Sequence, residues 1–186
     1  MILGIISDTH MPGAMPQMPP QLLRAFANVE LILHCGDIYG ASCLDWLERI
    51  APVMAVEVYS GSYWSGDPRV VVPQRVLSFE GHTIGLAHML TLRGMTDEVF
   101  PGAVAKDFAG GASLPQALRE FFGQPVDIAV FGDTHYEMVE EHQGVLLINP
   151  GSATLPRHMR RLGTVAVLEL APGARTARLI DLSKLT

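Results

Sequence analysis

The chain has 186 residues, enough for one hydrophobic core without disulfides or a structural metal, since a domain of this length buries about 70% of the surface its unfolded chain exposes. Its 19 Asp and Glu outnumber 13 Lys and Arg, for a formal net charge of −6, which argues against a binder of long nucleic acid, whose affinity comes from a basic face set against phosphates. At 48% hydrophobic it is not of the disordered class, and no run reaches the ~20 apolar residues of a membrane span.

Residues 1–186 are therefore read as one domain. The first run, Met1–Ser7, is apolar with no basic leader, and it reads as a buried strand rather than a signal peptide. After a Pro- and Met-rich loop, Pro20–Asn28 has the apolar spacing of a helix with proline near its start. Glu30–Cys35 is a second buried strand, Ala41–Ile50 a helix and Pro52–Val58 a third strand. This alternation implies parallel strands with crossover helices. Arg75–Phe79 and Thr83–Ala87 read as short strands joined at Glu80-Gly81-His82. Residues 89–113, with four glycines and Pro101, carry a short helix near Lys106 and are expected to shape a cleft. A helix over Leu114–Phe122 and a strand over Val126–Phe131 follow. Glu137–His142, Val145–Ile148, Thr164–Leu170 and Arg175–Leu182 complete a strand-rich second half. Two sheets are implied, one mainly parallel and one mixed, packed face to face with helices outside. Cys35 and Cys43 read as partly buried reduced thiols, and a cytoplasmic location is expected.

Asp8, His10, Asp37, His88, Asp133 and His135 all follow apolar strands. In an α/β sheet the C-terminal strand ends share one edge, where ligand sites form. Asp-Thr-His occurs twice, and in extended chain residues two apart project to one side, so each pair could grip one centre. Singly, each of these residues is an ordinary turn former or loop residue. Their recurrence at successive strand ends points to a metal site. His34 reads as a hydrogen-bonded strand residue, and His82, His142 and His158 as surface histidines.

Ser7-Asp8-Thr9-His10, Gly36-Asp37, His88, Gly132-Asp133-Thr134-His135 and the stretch Asn149 to Arg157 together resemble the calcineurin-like metallophosphoesterases, in particular their small bacterial and archaeal phosphodiesterase branch. The resemblance implies an α/β fold, a two-sheet β-sandwich flanked by helices in four αββα layers. It also implies two divalent cations. The first would be held by Asp8, His10, Asp37 and His135, with Asp37 as the bridge. The second would use Asp37 and His88. Asp37 and His88 are then the residues closest to the chemistry.

The chain departs from the family at this second site. Gly61-Ser62-Tyr63-Trp64 stands where the family has a ligand asparagine, Asp133 stands where it has a histidine, and Met89 where a glycine follows the histidine equivalent to His88. Ser62 is a short neutral ligand, so the second site is expected to be weak or empty unless Asp133 serves. Asp133 is a hard anionic donor, which turns the expected metal towards Mn²⁺, with Fe²⁺, Mg²⁺, Zn²⁺ and Ni²⁺ as alternatives. Asp67 could fold back as a substitute but reads better as a turn residue. Two cations would activate a water for in-line attack on phosphorus. Tyr63 takes the place of the leaving-group histidine of many larger relatives. With an ordinary pKa of ~10 it is a weak proton donor, which predicts a preference for good leaving groups. Asn149 is expected to shape the loop, Gly151 and Ser152 to offer N–H groups, and Arg157 to touch an anionic substrate. The expected partner is a small phosphodiester, with no long nucleic acid and no membrane, and a homo-oligomer is compatible. The competing reading is a scaffold on the same fold with a weakened metal site, as in a retromer subunit of the wider family.

Overall fold

The computed structural model describes residues 1–59, 66–157 and 162–186. Strands β1 (Ile2–Ile6), β2 (Leu31–His34), β3 (Val53–Val56), β4 (Val70–Val71), β10 (Thr164–Ala171) and β11 (Ala174–Asp181) form one sheet in the order β11-β10-β1-β2-β3-β4. Strands β5 (Gln74–Phe79), β6 (His82–Ala87), β7 (Ile128–Val130), β8 (Met138–His142) and β9 (Val145–Asn149) form the other, in the order β5-β6-β7-β9-β8. Helices α1 (Leu22–Ala25) and α2 (Ala41–Leu47) lie on the first sheet, and α3 (Ala103–Asp107) and α4 (Leu114–Phe122) on the second. Both sheets are mixed: three of the five pairings in the first are parallel, and two of the four in the second. β1 pairs in parallel with β2 but antiparallel with β10, and β9 in parallel with β7 but antiparallel with β8.

Three apolar clusters fill the three spaces between four layers. Leu3, Ile5, Leu33, Ile84, Val130 and Leu168 meet between the sheets. Their strand neighbours turn the other way: Ile6, Ile32 and Val165 face α1 and α2, and Ala129 and Leu147 face α3 and α4. The period-2 alternation thus feeds two interfaces from each central strand, and those strands read as unbroken apolar runs because both faces are covered. Each helix layer also rests on a glycine. A Cβ at Gly4 would sit 3.0 Å from the Phe26 ring, and one at Gly85 would sit 2.5 Å from the Phe122 ring.

The two N-terminal helices are shorter than expected. Around α1, Leu22, Leu23 and Arg24 donate to Pro19, Pro20 and Gln21, three residues back. After α2, Arg49 and Ile50 do the same to Trp46 and Leu47, so these flanks are tighter turns and not α-helix. The two-residue strand β4 is too short to leave a mark in the local pattern. The β5–β6 hairpin closes on Glu80-Gly81 alone, both at positive φ (52° and 81°), the two-residue turn that matches strand twist. That register draws His82 into the strand. It is buried, with Nε2 at 3.0 Å from Ala171 O and 3.1 Å from Ala174 O, so it ties β6 to the β10–β11 turn and is not a surface-loop residue. Cys35 and Cys43 are both free and buried, and burial pushes the Cys43 thiol up to about 12.

Candidate metal centre

Six of the candidate ligands follow strand ends at one edge of the sandwich. Asp8 and His10 follow β1, and Asp37 follows β2, from one sheet. His88 follows β6, and Asp133 and His135 follow β7, from the other. The Asp-Thr-His segments are not extended. Asp8 and His10 have φ of 53° and 45°, Asp133 and His135 of 69° and 56°, and Asp37 of 53°. Five of the six thus lie in the left-handed region, which costs a non-glycine residue on the order of 1 kcal/mol or more and clusters at functional sites.

The surrounding structure holds these turns by hydrogen bonds. Asp8 N donates to Gly36 O at 2.9 Å and His10 N to Asp37 O at 2.9 Å. Ser152 Oγ donates to Asp8 O at 2.7 Å, and Thr154 Oγ1 to Thr9 O at 2.6 Å. Thr9, between the first pair of ligands, is buried with its hydroxyl 3.0 Å from His34 Nε2. Gly36 N donates to His34 Nδ1, so the His34 proton sits on Nε2, and burial holds its pKa down to about 3. His34 is therefore a neutral bridge between β2 and the Thr9 turn. The glycines beside the ligands make room: a Cβ at Gly36 would lie 2.6 Å from the His88 ring, and one at Gly132 would lie 2.6 Å from Asp8 Oδ2.

Two groups of donors result. Ligand atoms of Asp8, His10 and His135 lie within 4.8 Å of one another, and so do those of Asp8, Asp37 and His88. Asp8 belongs to both. Asp37, the bridge implied by resemblance, has Oδ2 at 3.4 Å from His10 Nε2 and 3.8 Å from His88 Nε2. Asp133 Oδ1 is 3.8 Å from His88 Nε2, and the Asp133 N–H donates to Asp8 Oδ2 at 3.1 Å.

Backbone carbonyls set the tautomers. His135 Nδ1 is 2.8 Å from Leu155 O, and His88 Nδ1 is 2.8 Å from Cys35 O. A carbonyl only accepts, so each Nδ1 carries a proton and each Nε2 is left to face the cluster, as in histidine ligands held by a second hydrogen bond. His135 Nε2 then points at His10 Nε2 (3.2 Å) and at Asp8 Oδ1 (3.3 Å). Asp8 is fully buried, and its Oδ1 has no hydrogen-bond partner among the described residues. Three lone-pair donors this close require a proton or a cation between them. The acid–base directions agree. The Asp8 carboxylate raises the His135 pKa, whereas burial lowers that of His10. Burial opposes charge on Asp8, but the facing His135 and His88 more than offset it and hold its pKa low. Burial raises Asp133, with Asp8 and Glu98 adding to the shift. The donor set fits hard or borderline divalent cations.

The remaining candidates fall out as follows. Ser62 and Tyr63 lie outside the described residues, as do Trp64 and His158. Asn149 is buried, donates to Gly132 O at 2.8 Å and Thr134 Oγ1 at 3.2 Å, and accepts from Gly151 N at 2.9 Å, so its whole amide shapes the loop. That bond also occupies the Gly151 N–H expected to meet an anion, and Ser152 acts through its hydroxyl instead. Arg157 is exposed, its guanidinium 3.7 Å over the Tyr136 ring, beside a cleft of about 480 Å³ that reaches His135. Asp67 is taken up by Arg69, with contacts of 2.6 to 3.2 Å. Glu57, one residue beyond β3, was missed: it is buried and its Oε1 accepts from Ile38 N at 2.8 Å, beside Asp37. A carboxylate closing a buried strand is the signal that could have found it.

A model of the calcineurin-like phosphoesterase superfamily domain matches residues 1–173. A probable metallophosphoesterase of Methanothermobacter thermautotrophicus is 33% identical over 158 residues, 84% of this chain and 80% of that protein. Among solved structures, zinc-complexed Vps29 of Entamoeba histolytica aligns with TM-score 0.62 at 20% identity, over 98% of this chain and 99% of that one. An archaeal phosphodiesterase aligns with TM-score 0.57 at 18% identity, over 97% of this chain and 100% of that one. At such identities the structural likeness speaks for the fold, which is the αββα sandwich.

Proposed function

The chain belongs to the calcineurin-like phosphoesterase superfamily, and from that premise we propose that it is a divalent-metal-dependent phosphodiesterase. The observation that carries this reading is the pair of donor clusters, Asp8–His10–His135 and Asp8–Asp37–His88, meeting at Asp8. One cation would be held by Asp8, His10 and His135 with Asp37, and a second by Asp37 and His88 with Asp133 in place of the family's histidine. Four carboxylates stand at or beside the centre (Asp8, Asp37, Asp133 and Glu57), and their formal charge matches two dications. With this many hard oxygen donors, Mn²⁺ is the expected metal.

When bound, divalent cations supply an acidified water and positive charge against the phosphoryl oxygens. The chain's own residues do the rest. Ser152, Thr154 and Gly36 lock the Asp8 turn. Cys35 O and Leu155 O aim the histidine Nε2 atoms inward. Arg157 stands on Tyr136 where a phosphoryl oxygen beyond the centre can reach it. No strong general acid is identified among the described residues, which favours esters with good leaving groups.

The test is metal content together with turnover of bis(4-nitrophenyl) phosphate in Mn²⁺, for the wild-type protein and Asp37→Asn. We expect two metals per chain, metal-dependent hydrolysis and a loss on the order of 100-fold or more in kcat for the variant. A folded protein that binds no divalent ion and turns nothing over would overturn the reading and leave the scaffold.

A further inference from the structure

Residues of the segments 89–100 and 131–134 line a cleft of about 530 Å³ that includes Asp133, within the usual range for small-molecule sites. Its walls include Met89, Leu92, Val99, Phe100 and Phe131. The charged side chains on it are Asp97, Glu98 and Asp133, and no lysine or arginine lines it among the described residues. A separate observation points the same way. Large apolar side chains remain in solvent around the candidate centre: Met89 is 43% exposed, Phe100 36% and Tyr136 38%. The Phe100 and Tyr136 ring centroids lie 6.3 Å apart, and the Arg157 guanidinium stacks over the Tyr136 ring at 3.7 Å. The mouth of the site is thus graded. Arg157 marks an anion-accepting flank on Tyr136, and the cleft beside Phe100 joins apolar side chains to Thr91, Thr96 and Thr134, with only negative charges among its described residues.

We propose that this cleft binds an uncharged, apolar or aromatic organic substituent of the phosphodiester, with Phe100 as its contact surface and Asp97 and Glu98 excluding substituents that carry a second negative charge. The proposal rests on the phosphodiesterase reading for the position of the phosphoryl group and adds the substrate class. An apolar ring leaves water for the Phe100 wall, and the two exposed carboxylates act on charge through solvent, so selection by size should exceed selection by charge.

Binding of two slowly hydrolysed diesters, diphenyl phosphate and dimethyl phosphate, to the Mn²⁺-loaded full chain by calorimetry tests it without relying on turnover. Diphenyl phosphate should bind about tenfold or more tightly than dimethyl phosphate. Phe100→Ala should cut that ratio to about threefold or less, and Phe100→Leu should keep most of it. Bis(4-carboxyphenyl) phosphate should bind several-fold more weakly than diphenyl phosphate, and Asp97→Asn with Glu98→Gln should recover it. Equal binding of the phenyl and methyl diesters, in a protein that hydrolyses bis(4-nitrophenyl) phosphate, would overturn the cleft proposal and leave the phosphodiesterase. Phe100-dependent phenyl binding in a protein with no turnover would keep the cleft and remove the phosphodiesterase.

Discussion

Replacing Glu57 separates two roles that one side chain combines. Its Oε1 accepts from Ile38 N at 2.8 Å inside a buried environment, beside Asp37. Burial nonetheless raises its pKa above 4.5, more than the Ile38 hydrogen bond lowers it. The sign follows directly. An acid whose pKa rises on folding is released first by the unfolded chain, so above pH 4.5 its ionisation lowers stability. Glu57→Gln removes the charge and keeps an acceptor, so without metal it should lie within about 1 kcal/mol of the wild type or above it. Glu57→Ala leaves the Ile38 N–H buried and unpaired at about 1–3 kcal/mol, so a loss of about 2 kcal/mol is expected. For a chain of this length that lowers Tm by about 4–8 °C. Calorimetric melting at pH 7 in a chelator reads both variants. Equal losses for Gln and Ala would refute this account, because the acceptor would then not be what matters. So would an Ala variant as stable as the wild type. In Mn²⁺ the order changes for Gln only: its metal affinity should fall below the wild type's, since a negative charge near the cations is gone.

Acid stability should carry the signature of His34. It is buried as the neutral form with a pKa of about 3, against 6.5 when exposed, so between these values the unfolded chain binds the extra proton and stability rises with pH by up to about 1.4 kcal/mol per unit. In urea melts from pH 4 to 6 with chelator, His34→Asn should show a slope smaller by about that amount, and identical slopes would exclude His34 as the titrating group. Gly85→Ala should cost about 1–3 kcal/mol, because its Cβ would stand 2.5 Å from the Phe122 ring, whereas Gly110→Ala, with nothing within 4 Å, should not register in the same melt.

Much of the architecture is legible in one dimension because central strands must be apolar on both faces. Ile2–Ile6, Leu31–His34 and Val145–Asn149 are such runs; the first two lead into the candidate ligands Asp8 and Asp37, and the third ends on a buried asparagine that shapes the loop. For the same reason Asp8, His10, Asp37, His88, Asp133 and His135 could be picked out as residues delivered by strand ends. Periodicity could not show how the ligands are held. The left-handed turns at Asp8, His10, Asp37, Asp133 and His135 carry a local cost that only distant groups offset, among them Ser152 Oγ on Asp8 O, 144 residues away. Nor does local pattern record which carbonyl fixes a histidine proton, as Cys35 O does for His88 across 53 residues, or that Glu57 closes on the Asp37 turn. His82 shows the same limit, since a polar residue at a hairpin becomes buried only once the β10–β11 turn arrives beside it. The sequence by itself determined which elements form and which donors stand at their ends, because those depend on neighbours along the chain. The tertiary structure decided which donors share a centre, which atom of each faces it and what walls the cleft beside it, because those depend on groups that only folding brings within a few ångströms.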